Sequence, residues 1–461
     1  MRLRALLTLS ALLLIFPSLV PTPARAQEPT VLTTQAPPGL GLGTVYSYTL
    51  ENGLRVLVAP NDAADLVTLD VWMGAGTRRE TADNNGAAHF IEHLLFKGTT
   101  TRKPGDIDAA IEDLGGTLNA ATSYDWAHFY VTVASADADA ALAVLADALM
   151  NAALRPEDME AERPIILSEM ARETAQPTGR LTQAFNALTF PTHPYGRPLI
   201  GTPAGIAQMT RQTVYDFYKT YYAPGNATLV IAGNVKPEQG LAMARKALGA
   251  WPAHPFPADT VPPEAPQTAI RTRTLEGPFR NAYVMLGFRA PSVKDRPDAW
   301  VMDVLLTYLG QGGNNRLTVD LQRKRRLVTS INANYLTQHD PGTLSVTAEC
   351  DASNADAVTE AILAEVQSLR DAPLADADLA AAKHALLASY LFDAQTSSGR
   401  AGALGFYAVI DSARYDTDYI AHFEAVTAAQ VQSVAQKYLD PQAYTLVTLL
   451  PRTSPITASW R

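Results

Sequence analysis

Apolar and polar residues alternate over Leu66–Met73, which predicts a half-buried β-strand. Tyr46–Leu50 and Leu54–Ala59 flank Asn52-Gly53, whose tight turn needs positive φ, and together predict a hairpin. Thr343–Cys350 reads as a further strand. Over Asp137–Met150 and Ala355–Leu369 the Ala, Leu and Val residues instead recur at helical spacing. Acids stand near both starts, where the helix dipole favours them. Hairpin strands followed by helices predict an α+β fold, an antiparallel sheet with helices packed on one face.

That layout occurs twice. Tyr221, Pro224, Thr228, Leu229 and Val230 recur as Tyr438, Pro441, Thr445, Leu446 and Val447 at an offset of 217, where Thr210 also falls on Thr427 and Val214 on Val431. Both stretches read as a capped helix, a Pro-containing turn and a strand, Ala227–Ala232 and Tyr444–Leu450. Between the copies, residues 251–267 hold Pro252, Pro255, Pro257, Pro262, Pro263 and Pro266, a semi-rigid linker composition. The expected division is therefore 27–250, linker 251–267, and 268–461.

Residues 1–26 read as an export signal: Arg2 and Arg4, an apolar run over Ala5–Val20, then Ala24-Arg25-Ala26 before Gln27. The run is shorter than the ~20 residues that span a bilayer, so the mature chain is expected to lack a membrane span and to be periplasmic or secreted. The chain has 37 Lys+Arg and 46 Asp+Glu, net −9, and losing the leader's three arginines would make it −12. That balance excludes the electrostatic footprint of nucleic-acid binding. One cysteine, Cys350, excludes an internal disulfide or a cysteine-built metal site and reads as a buried apolar residue. No glycine-rich phosphate loop follows a strand, and no G-x-S-x-G elbow occurs.

The candidate chemistry lies in Ala88-His89-Phe90-Ile91-Glu92-His93-Leu94, which follows Asn85-Gly86, a plausible helix start. On a helix His89 and His93 are i and i+4, so both imidazoles leave one face and reach a single zinc at ~2.0–2.1 Å. Glu92 then lies beside the metal, placed to take a proton from water; this is the H-x-x-E-H pattern. Two histidines need a third protein ligand and one open position. Glu162 and Glu169, two turns apart within the helical stretch Glu157–Glu173, share a face, and Glu169 sits in an apolar setting that demands a partner. Pro164 removes a donor between them and is expected to disturb their alignment. His128, in the strand after Asp125, is within reach of the cleft but is expected to be a packed strand histidine, and His193 a structural loop residue, while His254, His339, His384 and His422 lack companions at metal spacing.

The chain resembles the inverted-zincin metallopeptidases of pitrilysin, insulysin and the mitochondrial processing peptidase, from roughly Tyr46 to Pro451. The resemblance rests on Gly86–Thr99, Leu118–Ser123, Glu162-Arg163 with Ile166–Met170, His193–Gly196 through Ile200–Thr202, and Tyr221–Asn226. It implies two homologous α/β-sandwich domains, one Zn²⁺ held by His89, His93 and Glu169, Glu92 as general base, and Glu162 as a supporting carboxylate. It also implies that Asn119 and Ala120 lie on an edge strand to which a peptide adds as a further strand. The second copy carries Leu306, Leu309, Gly310 and Leu386 at the motif positions, none a ligand. Where the family segment has an arginine and, seven residues on, a tyrosine, this chain has Gln322 and Thr329; Arg323 is one residue off, within the basic run Arg323–Arg326. The expectation is a zinc endopeptidase subunit whose arginine and tyrosine come from a homologous partner lacking zinc, a homodimer being possible. The alternative is a non-catalytic subunit that binds peptides or props up a partner.

Overall fold

The computed structural model describes residues 30–33 and 42–452; the expected leader, residues 1–26, lies outside the described residues. The strands are β1 (Thr30–Thr33), β2 (Thr44–Thr49), β3 (Arg55–Pro60), β4 (Leu66–Met73), β5 (Thr117–Thr122), β6 (Ala127–Ala134) and β7 (Ala227–Gly233), followed by β8 (Arg271–Gly277), β9 (Ala282–Arg289), β10 (Ser330–Tyr335), β11 (Thr343–Cys350) and β12 (Thr445–Pro451). The first seven form one sheet in the order β1-β2-β3-β7-β4-β6-β5, the last five another in the order β10-β11-β9-β12-β8. Both are antiparallel except for one parallel pair each, β3 with β7 and β8 with β12. Aligning those pairs superposes β3-β7-β4-β6-β5 on β8-β12-β9-β11-β10, so the internal repeat is a repeat of sheet topology. The repeated threonines cap equivalent helices: Thr210 starts Arg211–Tyr221, and Thr427 starts Ala428–Tyr438 with a full capping box to Gln430.

Each sheet turns one face to its own helices. Leu69, Val71, Met73, Phe129 and Val131 pack there beneath Ala87–Leu95 and Ala138–Asn151. The opposite face of each sheet is covered as well, by a helix from the other half. Helix Ser397–Ile410, from the second half, lays Ala401, Leu404 and Ala408 on Leu57, Trp72, Val230 and Ala232 of the first sheet. Reciprocally, helix Pro177–Thr189 lays Leu181 and Phe185 on Met285, Val447 and Leu449 of the second. Glycines make the close approach: a Cβ at Gly405 would stand 2.1 Å from Trp72 Nε1, and one at Gly287 2.6 Å from Phe185. The halves thus exchange helices, and each completes the other's core.

Residues 252–268 carry no helix or strand, and their Asp259 helps to lock the halves together. Arg78, 4% exposed, donates through Nη1 to Asp259 at 2.7 Å and through Nε to Asp340 at 2.6 Å. His193 Nε2 lies 3.1 Å from Asp340 Oδ2, and the His339 amide donates to Asp125 at 3.0 Å. Burial alone would raise the Asp340 carboxyl, but His193, His339 and Arg78 hold it far below the usual carboxylate range. Its stabilisation is therefore complete above its unfolded pKa and drains away as pH falls below about 4. Asp340→Asn should lower the unfolding free energy at pH 7 by about 2–4 kcal/mol and shallow the acid limb of stability below pH 4. Urea titrations across pH read both; acid limbs of equal slope in the two proteins would contradict this role.

Candidate active site

The helix Ala87–Leu95 is fixed at its start by an acid far from it in the helical register. Gly86, at φ 103°, turns the chain into the helix, and a Cβ there would meet Ile206 Cδ1 at 2.6 Å. Glu80, 4% exposed, then takes the place of a capping side chain: Oε1 accepts from the Ala88 amide at 2.8 Å, and Oε2 from the Gly86 amide at 2.9 Å and Asn85 Nδ2 at 2.8 Å. Burial pushes its carboxyl up to about 7 against the pull of those donors. The sequence reading gave Glu80 no role, since a cap six to eight residues upstream leaves no short motif.

The second helix, Pro156–Ala175, runs unbroken through Pro164. The expected disturbance is absent, and Glu162 and Glu169 both face the first helix. His93 Nε2 lies 3.3 Å and His89 Nε2 3.8 Å from Glu169 Oε2, and the ligand atoms of the three residues all fall within 4.8 Å of one another. Tetrahedral bonds of 2.0–2.1 Å to zinc set ligand atoms about 3.4 Å apart, so this trio fits the ion with only small adjustment. Burial and the neighbouring His93 lower the His89 pKa to about 4, which keeps that imidazole neutral, the form that ligates metal. Among the described residues no other group of histidines, cysteines and acids converges in this way.

The supporting contacts are specific. Glu162, 5% exposed, has Oε2 3.0 Å from His93 Nδ1 and Oε1 2.7 Å from Lys97 Nζ. The first contact turns His93 Nε2 toward Glu169. Burial would raise the Glu162 carboxyl, yet Lys97 and His93 bring it below its ordinary value. Glu92 is the reverse case: burial raises its carboxyl despite the nearby Thr122 hydroxyl and His93 imidazole, and among the described residues its buried Oε2 finds no partner. Behind it stands Tyr222, whose buried hydroxyl is driven up by desolvation and by the Glu92 charge. Lys97, Thr122 and Tyr222 lie in segments that carry the family resemblance, but the spacing gave them no task.

Glu92, His93, Lys97 and Glu162 line a groove of about 260 Å³ that continues along Leu118, Asn119 and Ala120. These last three belong to β5, the edge strand of the first sheet. Asn119 Oδ1 accepts from the Ala120 amide at 2.8 Å, so the edge has a side chain covering its own backbone donor. In the second half, Leu306, Leu309 and Leu386 are buried core residues. A cavity of about 450 Å³ beside them is lined by Tyr308, Gln311, Arg316 and Asp378, without a histidine. Gln322 Nε2 donates to the Thr329 carbonyl at 2.6 Å, and Arg323 bonds Asn314 Oδ1 and the Gly313 carbonyl at 2.9 and 2.6 Å. Arg323 is thus committed to its own loop.

Comparison with known proteins follows the same outline. A family model described as Insulinase (Peptidase family M16) matches residues 55–203, and one described as Peptidase M16 inactive domain matches 208–386. An uncharacterized zinc protease of Mycobacterium leprae is 31% identical over 86% of this chain and 89% of its own length. The probable mitochondrial-processing peptidase subunit beta of Arabidopsis thaliana is 31% identical over 85% of this chain and 75% of its own. A solved protease from Helicobacter pylori superposes with a TM-score of 0.85 at 26% identity, over 89% of this chain and all of that one.

Removing the Glu80 cap should free the start of the histidine helix. Glu80→Ala is expected to cost about 2–4 kcal/mol, since two buried amides lose their carboxyl acceptor. Chemical denaturation checks this; a loss below about 0.5 kcal/mol, the level of a neutral surface change, would contradict it.

Proposed function

The chain belongs to the insulinase-like M16 peptidase family, and on that premise we propose that it is the zinc-bearing subunit of an endopeptidase acting on peptides or unfolded segments. The observation that carries this reading is the convergence of His89, His93 and Glu169 beside a buried Glu92 oxygen that has no partner. In this reading His89, His93 and Glu169 hold the ion, and zinc supplies the Lewis acidity that activates water and polarises a peptide carbonyl. Glu92 takes the proton of the attacking water and passes it to the leaving amine, work suited to a carboxyl raised by burial. Glu162 keeps His93 in the orientation and tautomer that ligation needs. An extended peptide displaces the Asn119 side chain from the Ala120 amide and pairs with β5, which holds the backbone of any sequence and spaces its side chains alternately to the two faces.

We take the catalytic unit to be larger than this chain. With Gln322 tied to Thr329 and Arg323 tied to its loop, no arginine–tyrosine pair stands at the family's positions to steady the developing oxyanion. A homologous partner without zinc, or a second copy, is the proposed source of that help, the two closing around a chamber. The same gap favours a second reading, a peptide-binding subunit that does not cut. The domain division at the 251–267 linker and export under direction of residues 1–26 belong to the same proposal, supported by the proline content and by the leader-like pattern.

Fluorogenic peptides test it. Hydrolysis should vanish with a chelator and return with Zn²⁺, Glu92→Gln should retain zinc but lose at least about 10³-fold in kcat, and Glu162→Gln should weaken zinc affinity about 10–100-fold. Near-normal turnover by Glu92→Gln would remove the general base. Adding the homologous partner should raise kcat by about 10²-fold or more; a purified chain as active alone as in the mixture would contradict the split site.

A further inference from the structure

On the face of the first sheet opposite the histidine helix, β4 buries a carboxylate. Asp70 is 2% exposed, and among the described residues its one ion-pair partner is His128 on β6, with Nδ1 3.1 Å from Oδ1. A buried carboxylate whose polar neighbours are one imidazole and the Trp72 indole is costly unless something retains it. The ring is clamped on both sides: Trp72 lies at 4.1 Å with 32° between planes, Tyr130 stacks at 5.1 Å and 22°, and Trp126 stands edge-on at 5.2 Å. Among the described residues its other ring nitrogen, Nε2, makes no hydrogen bond, and the side chain remains 13% exposed. The cross-strand neighbour of His128 on the far side is Ala121 of β5, a residue too small to cover it. Beyond Ala121 is the free edge of the sheet.

We propose that His128, backed by Asp70 and flanked by Trp126 and Tyr130, is a subsite for a basic side chain of the bound peptide, arginine or lysine. The inference rests on the reading of β5 as the peptide-pairing edge. A strand added to β5 runs about 10 Å from β6, two strand spacings away. The residue opposite Ala121 sends its side chain to the same face as Ala121 and His128, and the long aliphatic stems of arginine or lysine cross that gap over the alanine methyl. At the far end they meet negative charge behind an imidazole edge and two aromatic rings, an arrangement that favours a cation over a neutral or acidic group. The alternation of strand side chains restricts this preference to one paired position, its neighbours in sequence facing the helices. Neutralising a buried acid explains the contact between Asp70 and His128 but not the remaining exposure of a ring whose cross-strand neighbour is an alanine of the edge strand.

The test separates binding from turnover. One fluorescent peptide is varied a position at a time among arginine, citrulline and glutamate, and its affinity is measured for zinc-loaded Glu92→Gln protein with its partner present. Citrulline keeps the shape of arginine and drops its charge. At one position arginine should bind about tenfold tighter than citrulline, and glutamate weaker than either. His128→Gln should reduce the arginine-to-citrulline ratio to about twofold or less, and so should Ala121→Leu, which roofs the subsite and leaves the Asp70 pair intact. With wild-type enzyme the same ratio should appear in KM and not in kcat. Charge-blind binding at every position, or a ratio that survives both variants, would overturn the subsite. If peptides bind with the expected ratio while hydrolysis ignores the chelator, the peptidase reading fails and the subsite stands.

Discussion

The site depends on one packing constraint: a helix carrying imidazoles one turn apart must lie against a helix carrying carboxylates two turns apart, at a single rotation of each. The histidine helix is held at its start by Glu80 and by the crowding around Gly86, and along its length by Phe90, Ile91 and Leu94 in the core. The glutamate helix is held by Met159, Ile166 and Met170, which face the same core. Glu162 and Glu169 meet the two imidazoles where the faces touch. A rotation of either helix by one residue, about 100°, would carry a ligand out of reach.

The exchange of helices between the halves explains why a chain with one set of candidate ligands keeps two sheets. Ser397–Ile410 covers the first sheet at Trp72, so the second half forms the floor beneath the strands that border the groove. The cluster around Arg78 and Asp340 ties the turn between β5 and β6 to the second half through Asp125, which accepts from Tyr195 and from the His339 amide. The second half therefore contributes structure to the edge strand, while leucines fill its own counterpart of the candidate site.

Local pattern made part of this legible. Leu66–Met73 and Thr343–Cys350 are strands with those same ends, because an alternating or strongly apolar run bounded by polar residues sets its own limits. The i, i+4 spacing put His89 and His93 on one face, and the 217-residue offset corresponds to the shared order of the two sheets. Contacts that join distant segments left no such trace. Nothing in Leu181, Phe185, Ala401 or Leu404 tells which sheet they cover, since apolar residues at helical spacing fit either. Glu80 caps a helix from outside the usual window, and Asp70 reads as one more polar position in an alternating strand. Pro164 misled in the other direction: its ring fits within the helix without a break.

The central claim is that two imidazoles and the Glu169 carboxylate hold one zinc with room for solvent. X-ray absorption at the zinc edge of the metal-loaded protein reads that coordination directly. The account predicts one zinc per chain bound by two imidazole nitrogens and by oxygen, with a Glu169→Ala chain losing a protein oxygen ligand and most of its affinity. A spectrum with one imidazole or none, or one unchanged by the loss of Glu169, would contradict it.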